Sequence, residues 1–145
     1  MRRRSTAKWQ GNGPDGKGTL TSFSGVLQET PYSAFTRFKN EDGKAGTNPE
    51  ELIAAAHSGC YAMALSFMLT KEGIVPEELN VTAAVNIEMV TDHFEITHIH
   101  LDLTGVVPGI TPEKFAELAN IAKTTCPVSR ALKAVEITLS VQLAE

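Results

Sequence analysis

The sequence predicts an α+β fold in a single domain spanning residues 1–145. Three observations lead there. Leu52 to Leu69 is a long stretch without formal charge, provided His57 is neutral, and it carries helix caps at both ends. Period-two alternation marks Val81 to Met89 and Val135 to Leu143, and a second, amphipathic helical stretch follows Thr111. The order is strands, a helix, two strands, a helix with a short extension and a last strand, which is an α+β arrangement. A chain of 145 residues supports a real core. Its 42% hydrophobic and 21% charged content is ordinary for a soluble protein, and a net charge of -4 gives no electrostatic reason to expect nucleic acid as a partner.

Residues 6 to 47 read as strands and turns. Gly11, Gly13-Pro14-Asp15-Gly16 and Gly18 punctuate the start, and Thr19 to Phe23 alternates weakly, which predicts a hairpin. Ser24-Gly25 and Thr30-Pro31 bound a short run at Val26-Leu27. Ser33 to Phe38 reads as a further strand carrying one cation, Arg37, and the polar segment Lys39 to Gly46 as a loop.

Asn48 is a good N-cap for the long helix. Pro49 suits its first position, and Glu50 and Glu51 complement the positive end of the dipole. Lys71-Glu72-Gly73 supplies the stop signals. With no charged residue between these ends, the helix is expected to be buried nearly all round. It is not expected to span a membrane, because His57, Ser58, Gly59, Cys60 and Ser66 interrupt the run.

After Val75 to Leu79, residues Val81, Ala83, Val85, Ile87 and Met89 form one face of a half-buried strand. Beyond the turn Thr91-Asp92-His93, Phe94 and Ile96 keep one phase while Ile99, Leu101 and Leu103 take the other, which predicts a bulge near Thr97-His98. Gly105 to Gly109 closes this strand. Thr111-Pro112-Glu113 starts a helix whose apolar stripe is Phe115, Leu118, Ala119 and Ala122. Cys126 then takes an N-cap position, with Pro127 opening a short helix to Leu132. About six strands can hardly cover a helix that is apolar on every side, so a homodimer is expected in which the partner supplies part of the cover.

The basic start Met1-Arg2-Arg3-Arg4 is followed by no apolar stretch or small-residue cleavage site, so the expected compartment is the cytosol. There Cys60 and Cys126 are either buried apolar residues or a redox pair, not a static disulfide. Free N–H groups beside Cys126 favour a thiolate. A thiolate at Cys60 needs a cation in its dry surroundings, and Arg37, between Phe35 and Phe38, is the best candidate. A guanidinium wants a carboxylate to orient it, which Glu50 can provide. Ten residues separate Glu50 from Cys60, so on one straight helix they lie about 15 Å apart along the axis. A shared site would then take Glu50 from the other subunit or from a bent first turn, while one of Glu50 and Glu51 simply complements the dipole. His57, one turn before Cys60, reads either as a base or as a hydrogen-bonded core residue. No Cys/His metal spacing, phosphate-binding glycine loop or serine elbow is present, so metal binding, nucleotide binding and serine hydrolysis are not supported.

Thr47-Asn48-Pro49-Glu50-Glu51-Leu52, Ala56-His57-Ser58-Gly59-Cys60, Cys126-Pro127-Val128-Ser129 and Thr36-Arg37-Phe38 together closely resemble the OsmC/Ohr family of thiol-dependent peroxidases, the OsmC branch in particular. The resemblance covers essentially the whole chain. It implies an intertwined homodimer, with β-sheets wrapped around central buried helices and an active site at each end of the interface. It also implies that Cys60 attacks an organic hydroperoxide, or hydrogen peroxide less efficiently, to give a sulfenic acid that Cys126 resolves as a disulfide. The expected reductant is a dithiol or a lipoylated protein. Arg37 and Glu50 match the family residues that stabilise the thiolate and orient the peroxide, and Tyr61, Met63 and Phe67 are candidates for an apolar wall. The competing reading is a redox-switched sensor dimer that holds an apolar ligand at the subunit interface.

Overall fold

The computed structural model describes residues 1–40 and 43–144. The chain forms two compact units, Met1–Leu52 and Ile53–Glu145, and a three-stranded sheet lies in each. With helices in both, the fold is α+β.

In the first unit β1 (Ser5–Gln10) pairs antiparallel with β2 (Lys17–Ser22) through the glycine-rich turn, as the sequence predicts. Asn12 organises that turn: its side-chain oxygen accepts the Asp15 N–H at 2.8 Å and its carbonyl accepts the Gly16 N–H at 3.0 Å. β3 (Thr30–Ser33) pairs with the other edge of β2. Val26-Leu27 is not a strand. Gly25 at φ +82° turns the chain, and the Leu27 carbonyl accepts the Ser22 N–H within one loop.

Ser33 to Phe38 also departs from expectation, forming the short helix α1 (Ala34–Phe38). The cause is a reciprocal cap: Ser33 Oγ accepts the Thr36 N–H at 3.1 Å while Thr36 Oγ1 accepts the Ser33 N–H at 2.8 Å. The described part of the Lys39–Gly46 segment is irregular, and residues 41 and 42 lie outside the described residues. Asn48 does cap the long helix α2 (Pro49–Lys71), its Oδ1 accepting the Glu51 N–H at 2.8 Å.

Most of α2 belongs to the second unit. Its residues His57, Tyr61, Leu65 and Leu69, four apart and so on one face, are all fully buried. The opposite stripe is open: Met63 is 62% and Phe67 65% exposed, with Ala56 and Gly59 on the same side. Burial within one chain is therefore one-sided, not all-round. Gly73 at φ +75° ends the helix, one turn past Thr70.

β4 (Glu78–Val90) and β5 (His93–Val106) form the central hairpin, and β6 (Glu136–Ala144) runs parallel to β5 on its other edge. The predicted bulge is present, since Asn86 pairs with His98 and Ile87 with Ile96, leaving Thr97 unmatched. The parallel pairing of β5 and β6 requires a crossover, which α3 (Pro112–Thr125) and α4 (Pro127–Ala131) supply. Thr111 caps α3, and the predicted stripe Phe115, Leu118, Ala119 and Ala122 is buried. These residues form one core with Tyr61, Leu65, Leu69, Leu101, Leu103 and Cys126. Phe115 lies over Gly105 of β5 so closely that any Cβ there would strike the ring.

Candidate active site

Two constellations were expected to carry chemistry, and each is assembled within one unit. In the second unit, Cys60 projects from α2 one turn after His57, and Cys126 stands at the junction of α3 and α4. Pro127 makes that junction. It has no N–H with which to continue α3, so the last α3 bond is Cys126 N–H to the Ala122 carbonyl at 2.9 Å. The Cys126 carbonyl then accepts the Arg130 N–H at 3.0 Å to begin α4. Cys126 is fully buried and Cys60 half-buried, and both are free thiols. Their sulfurs lie 3.2 Å apart and share a hydrogen bond. A disulfide requires about 2.05 Å, so bonding needs only a small closure.

The two thiols are not equivalent. Burial pushes the Cys60 thiol up; the Val128 N–H pulls against this, the neighbouring Cys126 adds to the rise, and the net shift is upward. Burial pushes Cys126 up as well, but the Ser129 N–H, Cys60, the Ser129 hydroxyl and the Val128 N–H outweigh it, so the net shift is downward. Within this unit the more acidic sulfur is thus that of Cys126.

His57 is fully buried, with Nε2 2.8 Å from Ser129 Oγ, and burial lowers its pKa, which keeps the ring neutral. Its Nδ1 has no hydrogen-bond partner among the described residues. Ser129 enters the sequence reading only as the last residue of the Cys126-Pro127-Val128-Ser129 motif, with no role of its own. Its link to His57 bridges 72 residues, so no local pattern announces it. Tyr61 is fully buried and donates to the Ala119 carbonyl at 3.1 Å, which makes it a core residue and leaves Met63 and Phe67 as the open apolar groups of α2.

In the first unit, Arg37 of α1 and Glu50 of the first turn of α2 meet as a two-pronged ion pair. Nη2 lies 2.6 Å from one carboxylate oxygen and Nε 3.1 Å from the other. The Glu50 side chain is nearly buried and that of Arg37 about one-third exposed, at 34%. The Phe38 ring supports the guanidinium from 4.9 Å. Glu51 instead accepts from Thr47 Oγ1 at 2.7 Å and is exposed, a local partner of the helix start.

The remaining histidines bind along the second sheet and its hairpin. Thr138 Oγ1 lies 2.9 Å from His98 Nε2 and 2.7 Å from His100 Nδ1, while His93 sits between Asp92 and Glu95. Among the described residues, no three His, Cys, Asp or Glu side chains gather closely enough to hold a metal ion.

Residues 41–140 match a family model described as OsmC-like protein. The chain is 46% identical over 143 residues to a peroxiredoxin OsmC of Escherichia coli strain K12, covering 99% of this chain and 97% of that protein. Among solved structures, an organic hydroperoxide resistance protein from Elizabethkingia anophelis superposes with a TM-score of 0.73 at 28% identity, covering 99% of this chain and 97% of that one. An OsmC-like protein of unknown function from Vibrio cholerae gives a TM-score of 0.77 at 15% identity, over 97% of this chain and 99% of that one, and shares the fold.

Proposed function

The chain belongs to the OsmC-like protein family, and from that premise we propose that it is a thiol-dependent peroxidase that reduces organic hydroperoxides, and hydrogen peroxide less efficiently, through Cys60 and Cys126. The observation that carries this reading is the 3.2 Å approach of the two free sulfurs. Attack by the Cys60 thiolate on the peroxide forms an S–O bond and breaks the O–O bond, releasing an alkoxide that takes up a proton as the alcohol. Cys126 then attacks the sulfenic sulfur, forming the disulfide and releasing hydroxide. A dithiol or a lipoylated protein reopens the disulfide by two thiol exchanges.

Cys60 needs help that its own unit does not supply, because there its thiol is shifted upward. The Arg37–Glu50 pair is the proposed source. A guanidinium beside the sulfur stabilises the thiolate before attack and the developing negative charge during it. Ten residues of a straight helix would put Glu50 about 15 Å from Cys60 along the axis, so we assign the Arg37–Glu50 pair of one protomer to the thiols of the other, in a homodimer. The open stripe of Met63 and Phe67 supports such a dimer, since exposed apolar side chains on a long helix call for cover. In this reading residues 1–145 function as one domain, and the protein is cytoplasmic. α2 is long and apolar enough to cross a membrane by length and composition, yet its fully buried row His57, Tyr61, Leu65 and Leu69 fits a core helix of a soluble protein.

Single-cysteine variants test the assignment. Cys60→Ser is expected to abolish hydroperoxide consumption, and Cys126→Ser to permit one equivalent of peroxide per chain without dithiol-driven turnover. Full activity in Cys60→Ser would overturn the reading.

A further inference from the structure

The chain enters its second cysteine from one helix and leaves it in another, and only the first of the two is held by an apolar stripe. α3 is anchored by Phe115, Leu118, Ala119 and Ala122 and by Tyr61 of α2, which donates to the Ala119 carbonyl at 3.1 Å. Pro127 then interrupts the backbone ladder, so this anchorage stops at Cys126. No side chain caps the start of α4. Val128 packs partly against the core, and the one buried residue of this short helix is a serine, Ser129, at 5% exposure. A buried hydroxyl needs a bonding partner. It finds one in His57 of α2, which is fully buried and places Nε2 2.8 Å from Ser129 Oγ. This bond ties α4 directly to the helix that carries Cys60.

The spacing of this tether matters as much as its burial. His57 lies three residues before Cys60, and Ser129 three residues after Cys126. Residues three apart on a helix are neighbours on one face. The four side chains therefore close a ring: a turn of α2, the sulfur contact at 3.2 Å, the first turn of α4 and the 2.8 Å bond. Holding one side of such a ring limits the side opposite. With the tether made, the sulfurs close only from 3.2 Å to about 2.05 Å. With it broken, the turn that begins at Cys126 is free to shift, and the sulfur with it. The donor follows from the other ring nitrogen. His57 Nδ1 is buried with no partner among the described residues, and an unpaired buried N–H is rarer than an under-satisfied acceptor. The ring proton therefore sits on Nε2 and is donated to Ser129 Oγ.

We infer that His57 and Ser129 are positioning residues for disulfide closure: their buried bond tethers α4 to α2 one turn from each cysteine and holds the Cys126 sulfur within reach of Cys60. The inference deepens the two-cysteine reading and rests on it for its function, though not for its test. Neither residue touches peroxide or exchanges a proton in the reaction. What the tether supplies is effective concentration, because two thiols already held together lose little freedom on bonding. By linkage, the disulfide steadies the tether in the same measure.

The test is the equilibrium of the full chain, without peroxide, in graded mixtures of reduced and oxidised glutathione, with thiols trapped by acid and counted by mass spectrometry. As the Cys60–Cys126 bond forms, two electrons and two protons pass from the two thiols to one glutathione disulfide, whose S–S bond opens to two glutathione thiols. The equilibrium constant is the effective concentration of the thiol pair. Ser129→Ala is expected to lower it about tenfold, the worth of one buried hydrogen bond, which raises the reduction potential by about 30 mV. His57→Leu is expected to do the same, and the double variant to do no more than either alone, since all three break one bond. Merely structural roles for the two residues would instead give losses that multiply. An unchanged value in folded Ser129→Ala, or losses that multiply, overturns the inference. The unmutated protein gives a second reading that no variant's misfolding can spoil: exchange of the His57 Nε2 proton with water, followed by nitrogen NMR. Exchange about tenfold slower in the disulfide form is expected from the reciprocal coupling, and equal exchange in the two forms overturns the tether. Neither measurement uses peroxide, so peroxide-driven thiol loss still decides the peroxidase reading by itself.

Discussion

At the scale of single residues, the reactive sulfur is decided by which charges reach it. Burial raises the Cys60 thiol, and among the described residues of its unit the Val128 N–H alone opposes the rise. A raised pKa leaves less thiolate at neutral pH, and the thiolate is the nucleophile. The account therefore predicts that Arg37→Met slows the first oxidation of Cys60 by about 10- to 100-fold at pH 7, the effect of losing a neighbouring cation worth one to two pKa units. The loss is predicted to shrink as pH rises toward the thiol pKa, where the guanidinium is no longer needed to ionise the sulfur. Stopped-flow thiol oxidation against pH checks this, and a pH-independent loss would point to peroxide positioning instead. The meeting of Arg37 with Glu50 and of Cys60 with Cys126 is legible residue by residue. Cys126 before Pro127 announces a helix junction, because proline cannot continue the preceding helix, and Arg37 between two phenylalanines announces a cation that needs a partner, which is Glu50. Ser129 is not legible, because its meaning depends on a histidine 72 residues away.

At the scale of elements, periodicity carries the reading wherever one face of an element is buried and the other is wet. The α3 stripe and the change of phase at Thr97 are of this kind, and both are found as expected. Ser33 to Phe38 shows the limit. The run Ser33 to Phe38 reads as a strand carrying one cation, but a Ser33–Thr36 cap of serine and threonine, lacking the usual glutamate or glutamine, closes one helical turn instead. Gly105 offers a prediction at this scale. Its missing side chain is the space the Phe115 ring occupies where α3 crosses β5. Gly105→Val is expected to lower stability by about 1–3 kcal/mol, the usual cost of overpacking a core. Urea denaturation monitored by circular dichroism measures it, and an unchanged midpoint would mean that the α3–β5 packing gives way more easily than the geometry implies.

At the scale of the whole molecule, the decisive feature is the open face of α2. The sequence makes this helix apolar on every side, whereas one chain fully buries the row His57, Tyr61, Leu65 and Leu69 and leaves Met63 and Phe67 open. A sequence reports that a face will be covered but not by which chain, since burial against a neighbour and burial within a fold leave the same apolar pattern. Light scattering of the unmutated protein at micromolar concentration is predicted to give twice the chain mass. Phe67→Lys, placing a charge on a side chain 65% exposed in the single chain, is predicted to shift the protein toward monomer with its fold retained. A monomeric unmutated protein would remove the second protomer on which the Arg37 assignment depends.

The central claim is that Cys60 and Cys126 complete one redox cycle, and the most direct measurement is stoichiometric. Reduced protein is mixed with one equivalent of cumene hydroperoxide, the remaining thiols are counted, and disulfides are mapped by mass spectrometry. The account predicts loss of two thiols per chain as a Cys60–Cys126 bond, reopened by a dithiol with continued consumption of peroxide. Absence of rapid thiol loss would contradict it and favour a dimer that binds an apolar ligand without turning over.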